Sequence, residues 1–476
     1  MTVPAQTITE TPEVLKVSVH PKLPELPERF ALLKRDIIKP EHEEKVKASY
    51  KRLLVALEAK TEEIAQAGSS YVPEVKWSDI KANNNVIPDE TIELFKERGC
   101  IIVRGVIPES VAEKWFENLQ DFVTKHPEVG GYPQPYPANW FAYWTEGQVQ
   151  ARSHPEIMKL MKVMGQVWHA GPDTLIDTDS QVVYADRFRI RYPGKQVSLM
   201  LHLDSGAIER WEDDQYRSVY QKIFEGDWEE FDPFSLDARP NAKSDLYSGL
   251  AGRPSACSAF RSLQGWLSLS DTKKGEGTVR FLPDLKLAMA YMMLRPFFWK
   301  DDENLDFETS KFPGAVPGSG QYFPNAKWYP HLNHEKSVVG ITDVRPGDYV
   351  FWHCDLAHEV DKLHPGTKHS SVFFNPQVPL CPYNIENMIK VRSAFEMVMP
   401  PADFLPDLEK RKMEKHYESE YPDHGARLEN ILTDDGMRAM GLKAFDIDEP
   451  GLTPGQKEVR KMANEAILES FGSFKA

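Results

Sequence analysis

The segment from residue 350 to residue 375, VFWHCDLAHEVDKLHPGTKHSSVFFN, constrains the fold of this chain more than any other. Two apolar, aromatic-rich runs, 349–352 and 372–374, enclose a polar stretch, and this pattern predicts a strand, a loop and a second strand. The segment holds four of the chain's 14 histidines: His353, His358, His364 and His369. Neutral imidazole is the commonest protein metal ligand, so histidines at strand ends that face a barrel interior predict a metal site.

Apolar and polar residues alternate in short segments between residues 181 and 380, which is typical of strands. Long insertions separate these segments, and this spacing favours a jelly-roll barrel over a parallel sheet. Helix-like periodicity precedes and follows the region. We therefore predict a mainly β protein with a double-stranded β-helix (jelly-roll, cupin-like) core and helical additions at both ends. The predicted parts are an N-terminal arm and helix, a jelly-roll domain with a long insertion at 205–260, and a C-terminal helical extension: 1–78, 79–400 and 401–476.

Composition limits the partners and the compartment. The chain has 476 residues and a formal net charge of −15, and a surface this acidic repels phosphate backbones, so we expect no nucleic-acid partner. No apolar run reaches the roughly 18 residues of a membrane span, and the first residues lack the basic and apolar regions of a secretory signal. The four cysteines form no C-x-x-C pair, so we interpret them as reduced, buried thiols in a cytoplasmic protein.

Two H-x-D pairs lie on apolar strand segments, His202-Leu203-Asp204 and His353-Cys354-Asp355. Side chains alternate faces along a strand, so the histidine and the aspartate of each pair point the same way. One strand end can thus supply an imidazole nitrogen and a carboxylate oxygen to one ion. A second histidine from a distant strand would complete a two-His, one-carboxylate triad, whose open positions suit non-haem Fe(II). Spacing alone does not show which of the two pairs binds the metal.

Three segments, in this order along the chain, resemble the signature blocks of Fe(II)/2-oxoglutarate-dependent oxygenases of the phytanoyl-hydroxylase type: RYPGKQVSLMLHLDSG, GWLSLSDTKKGEGTVRFLPD and RPGDYVFWHCDLAHEVDKLHPGTKHSSVFFN. Over residues 80–400 the chain is more closely similar to an uncharacterised bacterial and fungal family, the domain of unknown function 1479. The resemblance implies that His202 and Asp204 are the proximal ligands of the metal and His358 the distal ligand. It leaves His353 as a packed or supporting histidine and His364 as a loop residue.

The resemblance also implies 2-oxoglutarate as cosubstrate, together with O₂. The wider family usually places an arginine about ten residues after the distal histidine to bind the far carboxylate of 2-oxoglutarate. This chain has Lys368 and His369 there. Lysine binds a carboxylate as a point charge without the bidentate fork of arginine. Lys368 is therefore the first candidate for this carboxylate, with Lys195, Arg189 and Arg191 as alternatives.

The implied activity is the oxidation of a small or medium polar substrate, with release of succinate and CO₂. Aromatic residues of the 130–152 loop and the 205–260 insertion are candidates for a lid over the substrate, namely Trp144, Tyr143 and Trp211, although packing alone also explains an aromatic cluster. The missing arginine keeps an alternative open, a cupin-like Zn²⁺ or Mn²⁺ hydrolase or isomerase with the same ligands. A non-catalytic binding protein on this fold is a third hypothesis. Substrate and oligomeric state are not predicted.

Overall fold

The structure, a computed structural model, describes residues 23–133, 137–194, 199–247, 257–405 and 418–473. Its α-helices are α1 (Arg29–Ile37), α2 (Glu43–Ala67), α3 (Trp77–Ala82), α4 (Asp89–Arg98), α5 (Glu109–Lys125), α6 (Glu146–Ser153), α7 (Pro155–Gly165), α8 (Glu209–Glu212), α9 (Asp214–Ser218), α10 (Gln221–Phe224), α11 (Leu285–Leu294), α12 (His334–Ser337), α13 (Pro382–Met397), α14 (Asp434–Ala439) and α15 (Pro454–Ser473).

The strands are β1 (Glu74–Lys76), β2 (Cys100–Arg104), β3 (Gly131–Tyr132), β4 (Asn139–Trp140), β5 (Asp177–Gln181), β6 (Phe188–Arg191), β7 (Leu199–Asp204), β8 (Leu263–Ser268), β9 (Val279–Phe281), β10 (Gln321–Tyr322), β11 (Val339–Gly340), β12 (Tyr349–His353), β13 (His358–Val360), β14 (Ser370–Phe374) and β15 (Pro379–Leu380). They form an eight-stranded sheet in the order β1-β2-β12-β8-β14-β6-β4-β3, a five-stranded sheet in the order β10-β7-β13-β9-β11, and the small pair β15-β5. Every pairing in these sheets is antiparallel except β1 with β2.

Strand β12 is the centre of the eight-stranded sheet. It pairs with β2 on one side and β8 on the other, and all five of its residues are buried. The aromatic-rich sequence YVFWH suits this position because both faces of the strand are covered. On one of those faces, the ring of Trp352 lies 5.6 Å from the ring of Phe281 on β9, measured between centroids. The two large sheets therefore pack face to face.

The expectation of a mainly β protein is wrong, because helices hold 43% of the residues and strands 15%. The strands are short, and helices lie in many of the connections and at both ends of the described part of the chain. Residues 29–37, expected as part of an extended arm, form helix α1; residues 1–22 lie outside the described part. The domain boundary at residue 78 stays a prediction. Strand β1, from the predicted N-terminal part, pairs with β2 at the edge of the large sheet.

Two composition-based expectations have a structural counterpart. The four cysteines, Cys100, Cys257, Cys354 and Cys381, are free and buried, as predicted. Burial raises the pKa of each of these thiols, which makes them poor nucleophiles. Among the helices of the described ranges, none combines the length and apolar character needed to cross a bilayer.

The turn before β12 depends on Gly347. Its φ is +90°, and a Cβ built on it would lie 2.0 Å from the carbonyl oxygen of Ile107. That contact is tight because Gly347 O accepts hydrogen bonds from the backbone N–H groups of Val106 and Ile107. We expect Gly347→Ala to lower the free energy of unfolding by more than ~2 kcal/mol, since it combines left-handed strain with a backbone clash.

The matched control is Gly275→Ala. Gly275 also has a positive φ, +80°, but a Cβ built on it would meet no atom within 4 Å. This control isolates the conformational strain, for which about 1–2 kcal/mol is expected. Urea unfolding of both variants measures the difference. Equal losses of stability would show that the approach to Ile107 is not limiting.

Candidate metal centre

Two adjacent strands of the five-stranded sheet bring three ligand-type side chains together. His202 and Asp204 lie on β7, and His358, at the start of β13, is the direct cross-strand partner of His202. Asp204 Oδ1 lies 3.6 Å from His202 Nε2, and Asp204 Oδ2 lies 3.5 Å from His358 Nε2. One atom from each side chain falls within 4.8 Å of the other two. This spacing fits a single ion.

The imidazoles are held in the orientation that a metal requires. His202 Nδ1 lies 2.7 Å from the carbonyl oxygen of Met200, and His358 Nδ1 lies 3.0 Å from that of Leu356. A carbonyl oxygen only accepts, so each Nδ1 carries the proton and donates it. The lone pair of each Nε2 is then directed towards Asp204. Such backbone partners fix the tautomer of metal-ligating histidines.

Electrostatics favour the same protonation states. Burial and the nearby His358 lower the pKa of His202 to about 4, so its imidazole is neutral at physiological pH. Burial raises the pKa of Asp204, but the neighbouring imidazoles and Arg261 outweigh this effect and hold the pKa well below its usual range. Gln321 Nε2 also donates to Asp204 Oδ1 at 2.8 Å. A neutral imidazole and an ionised carboxylate are the forms that bind a cation.

The cluster opens into a cavity of about 450 Å³ between the two large sheets. The five-stranded sheet contributes the three ligands together with Leu199, Val279 and Val360, and the opposite wall includes Gln264, Trp266, Trp352 and Phe374. The ring of Trp352 lies 5.0 Å from that of His358, between centroids. The volume falls within the range of small-molecule sites, which is roughly 300–1,000 Å³.

One wall of this cavity carries two buried arginines, Arg189 and Arg191 on β6, which we call the β6 arginine pair. Alternation along the strand directs both side chains to the same face. Burial, together with the charge of Arg191, lowers the pKa of Arg189 to about 9. Arg189 Nε and Nη2 are buried and have no hydrogen-bond partner among the described residues. A buried guanidinium with unmet donors fits a carboxylate ligand.

Lys368, the first predicted cosubstrate residue, lies away from the cavity. Lys368 is on the surface, with a side chain that is 71% exposed and 3.4 Å from Asp271, and it does not line the cavity. It lies just before β14, whose first residue, Ser370, pairs with Arg191. Arg191 therefore lies on the strand next to the segment in which the family's arginine was expected. Lys195 lies outside the described residues.

The predicted substrate residues pack in the protein core. Trp144 donates its indole N–H to the carbonyl of Met399 at 2.7 Å, and the ring of Tyr143 packs on Phe404 at 5.0 Å. Trp211 donates to the carbonyl of Met293 at 3.1 Å. All three side chains are fully buried, and none lines the cavity. Their packing accounts for them, and substrate binding by them has no support in the geometry.

The competing pair His353 and Asp355 belongs to a closed polar network. His353 Nε2 donates to the carbonyl of Pro233 at 3.0 Å, and His353 Nδ1 accepts from the backbone N–H of Asp355. The Asp355 carboxylate is bound by Arg210 at 2.6 Å and by Arg239 at 2.8 Å. Ligand-type atoms of His353, Cys354 and Asp355 also lie within 4.8 Å of one another. Two guanidinium groups already neutralise this carboxylate, however, which disfavours a cation there. His364 is a loop residue, bonded to the carbonyl of Lys368 at 2.8 Å.

Sequence reasoning missed two polar residues of the site, Gln321 and Arg261. Gln321 is on β10, which pairs with β7, and Arg261 lies just before β8. Both line the cavity. Neither belongs to a spaced motif, because each reaches the site through the pairing of strands far apart in sequence. A glutamine or arginine flanking a predicted strand carries no signal of this kind by itself.

The chain thus has two facing sheets, antiparallel except for β1 with β2, and a two-histidine, one-carboxylate cluster on the five-stranded sheet that could hold a metal ion. Comparison gives the family: the Gig2-like family model matches residues 24–442, and the chain belongs to that family. This result confirms the resemblance to the domain of unknown function 1479, which is also the domain of a similar solved structure, GlcNAc Inducible Gene 2 (GIG2) of Candida albicans.

The GIG2 structure is 43% identical, with a TM-score of 0.85, and the match covers 94% of this chain and 97% of that one. A Salmonella typhimurium LT2 protein, named as a candidate oxidoreductase, is 28% identical, with a TM-score of 0.75 and coverage of 88% and 98%. The uncharacterized protein YbiU of Escherichia coli K12 is 31% identical over 352 residues, which are 71% of this chain and 80% of YbiU.

Proposed function

We propose that this protein is an Fe(II)- and 2-oxoglutarate-dependent oxygenase built on a double-stranded β-helix. One observation carries the proposal: the Nε2 atoms of His202 and His358 and the carboxylate of Asp204 converge in a cavity that a buried arginine, Arg189, also lines. The Nε and Nη2 atoms of Arg189 have no hydrogen-bond partner among the described residues. The candidate oxidoreductase among the similar structures is in keeping with an oxidative role.

The cavity has residues that would hold Fe(II) and residues that would hold 2-oxoglutarate. Fe(II) would be bound by His202, Asp204 and His358, a set of hard and borderline ligands that this ion accepts. The far carboxylate of 2-oxoglutarate would pair with the β6 arginine pair. When bound together with O₂, these groups supply an oxidation in which 2-oxoglutarate becomes succinate and CO₂ and the substrate gains one oxygen atom.

The protein's own contribution is positioning and exclusion of water. Backbone carbonyls hold both imidazoles, and Gln321 holds one oxygen of Asp204. The rings of Trp266 and Trp352 line the opposite wall and restrict water near the cluster. The buried arginines give a fixed positive charge where a carboxylate would otherwise be costly to desolvate.

The alternative of a cupin-like Zn²⁺ or Mn²⁺ hydrolase or isomerase arose from the missing arginine after His358. The β6 arginine pair supplies buried positive charge beside the strand where that arginine was expected. No observation now favours this alternative over the oxygenase. The choice between a metalloenzyme and a non-catalytic binding protein depends on the titrations described below.

Anaerobic titration of the purified protein with Fe(II) and 2-oxoglutarate should produce a weak visible charge-transfer band. Arg189→Gln should weaken 2-oxoglutarate binding by about 10- to 100-fold, because a hydrogen-bonded charge pair contributes roughly 1.5–3 kcal/mol. The control is Lys368→Gln, which removes the exposed charge of the residue first predicted to bind this carboxylate and should leave the band unchanged. If the wild-type protein gives no band, or if Lys368→Gln abolishes it while Arg189→Gln does not, the assignment is wrong.

A further inference from the structure

The cavity carries positive charge at two ends of β7. At the Leu199 end lies the β6 arginine pair: Arg191 donates to the carbonyl of Asp361, which follows β13, and Val360 of β13 pairs with Leu199. At the Asp204 end lies Arg261, whose Nη2 is 3.3 Å from Ser205 Oγ. The ends of a six-residue strand are about 17 Å apart. The His202, Asp204 and His358 cluster is therefore flanked by two separate cationic groups.

Arg261 is poorly satisfied by the protein. The contact with Ser205 is long for a hydrogen bond, and the buried Nε of Arg261 has no partner among the described residues. The guanidinium carbon lies 5.2 Å from the ring centroid of Tyr184. This cation–π contact uses none of the N–H donors of the guanidinium. These donors are then available to a ligand in the cavity.

The other charges at this end are already engaged. Arg187 binds Asp186 Oδ1 at 3.2 Å and lies over the ring of Phe404. Asp403 Oδ2 accepts hydrogen bonds from Tyr184 Oη at 3.0 Å and from the backbone N–H of Ser258 at 2.9 Å. Arg261 is thus the one cation at the Asp204 end, within the described part of the cavity wall, that lacks a facing carboxylate at ion-pair distance.

We propose that the substrate of this site is a small organic acid whose carboxylate is bound by Arg261. The proposal rests on the proposed function, because the β6 arginine pair is then taken by 2-oxoglutarate and Arg261 is left for the substrate. A monoanion fits better than a phosphate, since Asp186, Asp204 and Asp403 also line this end and repel a dianion. Tyr184 and Phe404 offer an apolar surface for the rest of the molecule.

A cavity of about 450 Å³ that must also hold 2-oxoglutarate leaves room for a small molecule only. The planar guanidinium of arginine donates two parallel hydrogen bonds to a carboxylate. A neutral amide has only one oxygen acceptor and no negative charge, so it binds arginine more weakly. Binding of the acid in preference to its own amide is thus the specific signature of Arg261. A purely structural role for Arg261, such as balancing the charge of Asp204, gives no such preference.

The test uses three acids, benzoate, 3-phenylpropionate and N-acetylglycine, and the primary amide of each. Calorimetric titrations are made on the metal-free protein and, without oxygen, on the protein loaded with Fe(II) and 2-oxoglutarate. At least one acid should bind the wild-type protein ten or more times more tightly than its amide. Arg261→Gln should remove this preference, and Arg261→Lys, which retains the charge but not the fork, should reduce it.

Two further variants separate this proposal from the previous one. Arg189→Gln should weaken 2-oxoglutarate binding and leave the preference for the acid intact. Arg280→Gln, an arginine outside the cavity that pairs with Glu359 at 2.7 Å, is the matched control and should change neither. The proposal is overturned if no acid outperforms its amide, or if the preference survives in Arg261→Gln. A preference that holds while no charge-transfer band forms supports Arg261 and contradicts the oxygenase instead.

Discussion

Replacing His358 by alanine is expected to abolish Fe(II) binding at micromolar concentrations. Partners outside the ligand set of a metal typically contribute about 10- to 100-fold to its affinity, and loss of a direct ligand costs more. His358 is buried and its Nε2 lies 3.5 Å from Asp204 Oδ2, so the substitution removes one of the three proposed direct ligands. Anaerobic equilibrium dialysis with Fe(II) measures the loss. Asp204→Asn, which keeps the shape and removes the charge, should have a comparable effect.

His169→Ala is the control for this prediction. Its side chain is 55% exposed and contacts Asp232, away from the cavity. Removing it should leave the Fe(II) affinity unchanged. Should His358→Ala and Asp204→Asn still bind Fe(II) as tightly as the wild-type protein, the ion is held elsewhere. Should the wild-type protein itself fail to bind Fe(II), the hypothesis of a non-catalytic binding protein gains support.

Replacing Asp355 by alanine is expected to lower the free energy of unfolding by about 3–5 kcal/mol, the usual effect of leaving buried charges unpaired. Asp355, Arg210 and Arg239 have side chains that are 0%, 0% and 2% exposed. Burial raises the pKa of Asp355, but Arg239 and Arg210 outweigh it and hold the pKa well below 3.8. The stabilisation is therefore complete above about pH 4 and is lost as the pH falls below that value.

Urea unfolding at neutral pH measures this loss. The control is Glu117→Gln, which removes an exposed pair with Lys114 whose side chains are 65% and 66% exposed. Surface pairs contribute little, so no measurable change is expected. If Asp355→Ala is as stable as the wild-type protein, the two arginines have found other partners. Since Arg210 also donates to the carbonyl of Asp204 at 2.8 Å, Asp355→Ala should weaken Fe(II) binding as well.

The candidate ligands were accessible from the sequence because their signal is local or follows a known order of segments. His202 and Asp204 are two residues apart on a strand, and His358 follows a strand that its aromatic residues identify. The protein was predicted to be mainly β because the alternating segments between residues 181 and 380 were given more weight than the helices. These helices lie at both ends of the described part and in the 205–260 insertion, which holds α8, α9 and α10. Local patterns do not show how far each strand continues.

The β6 arginine pair and the buried aromatic residues illustrate what the sequence could not show. Arg191 and Ser370 are 179 positions apart and become neighbours only through the pairing of β6 with β14. Trp211 was a candidate for a lid because it belongs to the 205–260 insertion, yet its side chain is buried and the adjacent Arg210 forms a buried ion pair with Asp355. Burial of a side chain and the strand beside it are properties of the whole fold.

The irregular pairing of β7 with β13 has a consequence for any attempt to transplant this site. His358 pairs with His202 and Val360 pairs with Leu199, so β7 has one more residue than its partner over this stretch. The extra residue is what lets Leu199 and His202, an odd number of positions apart, both face the cavity. A designer who grafted these ligands onto an ideal, evenly paired hairpin would turn one of the two residues outward. The site therefore depends on the extra residue of β7 as well as on the identity of its ligands.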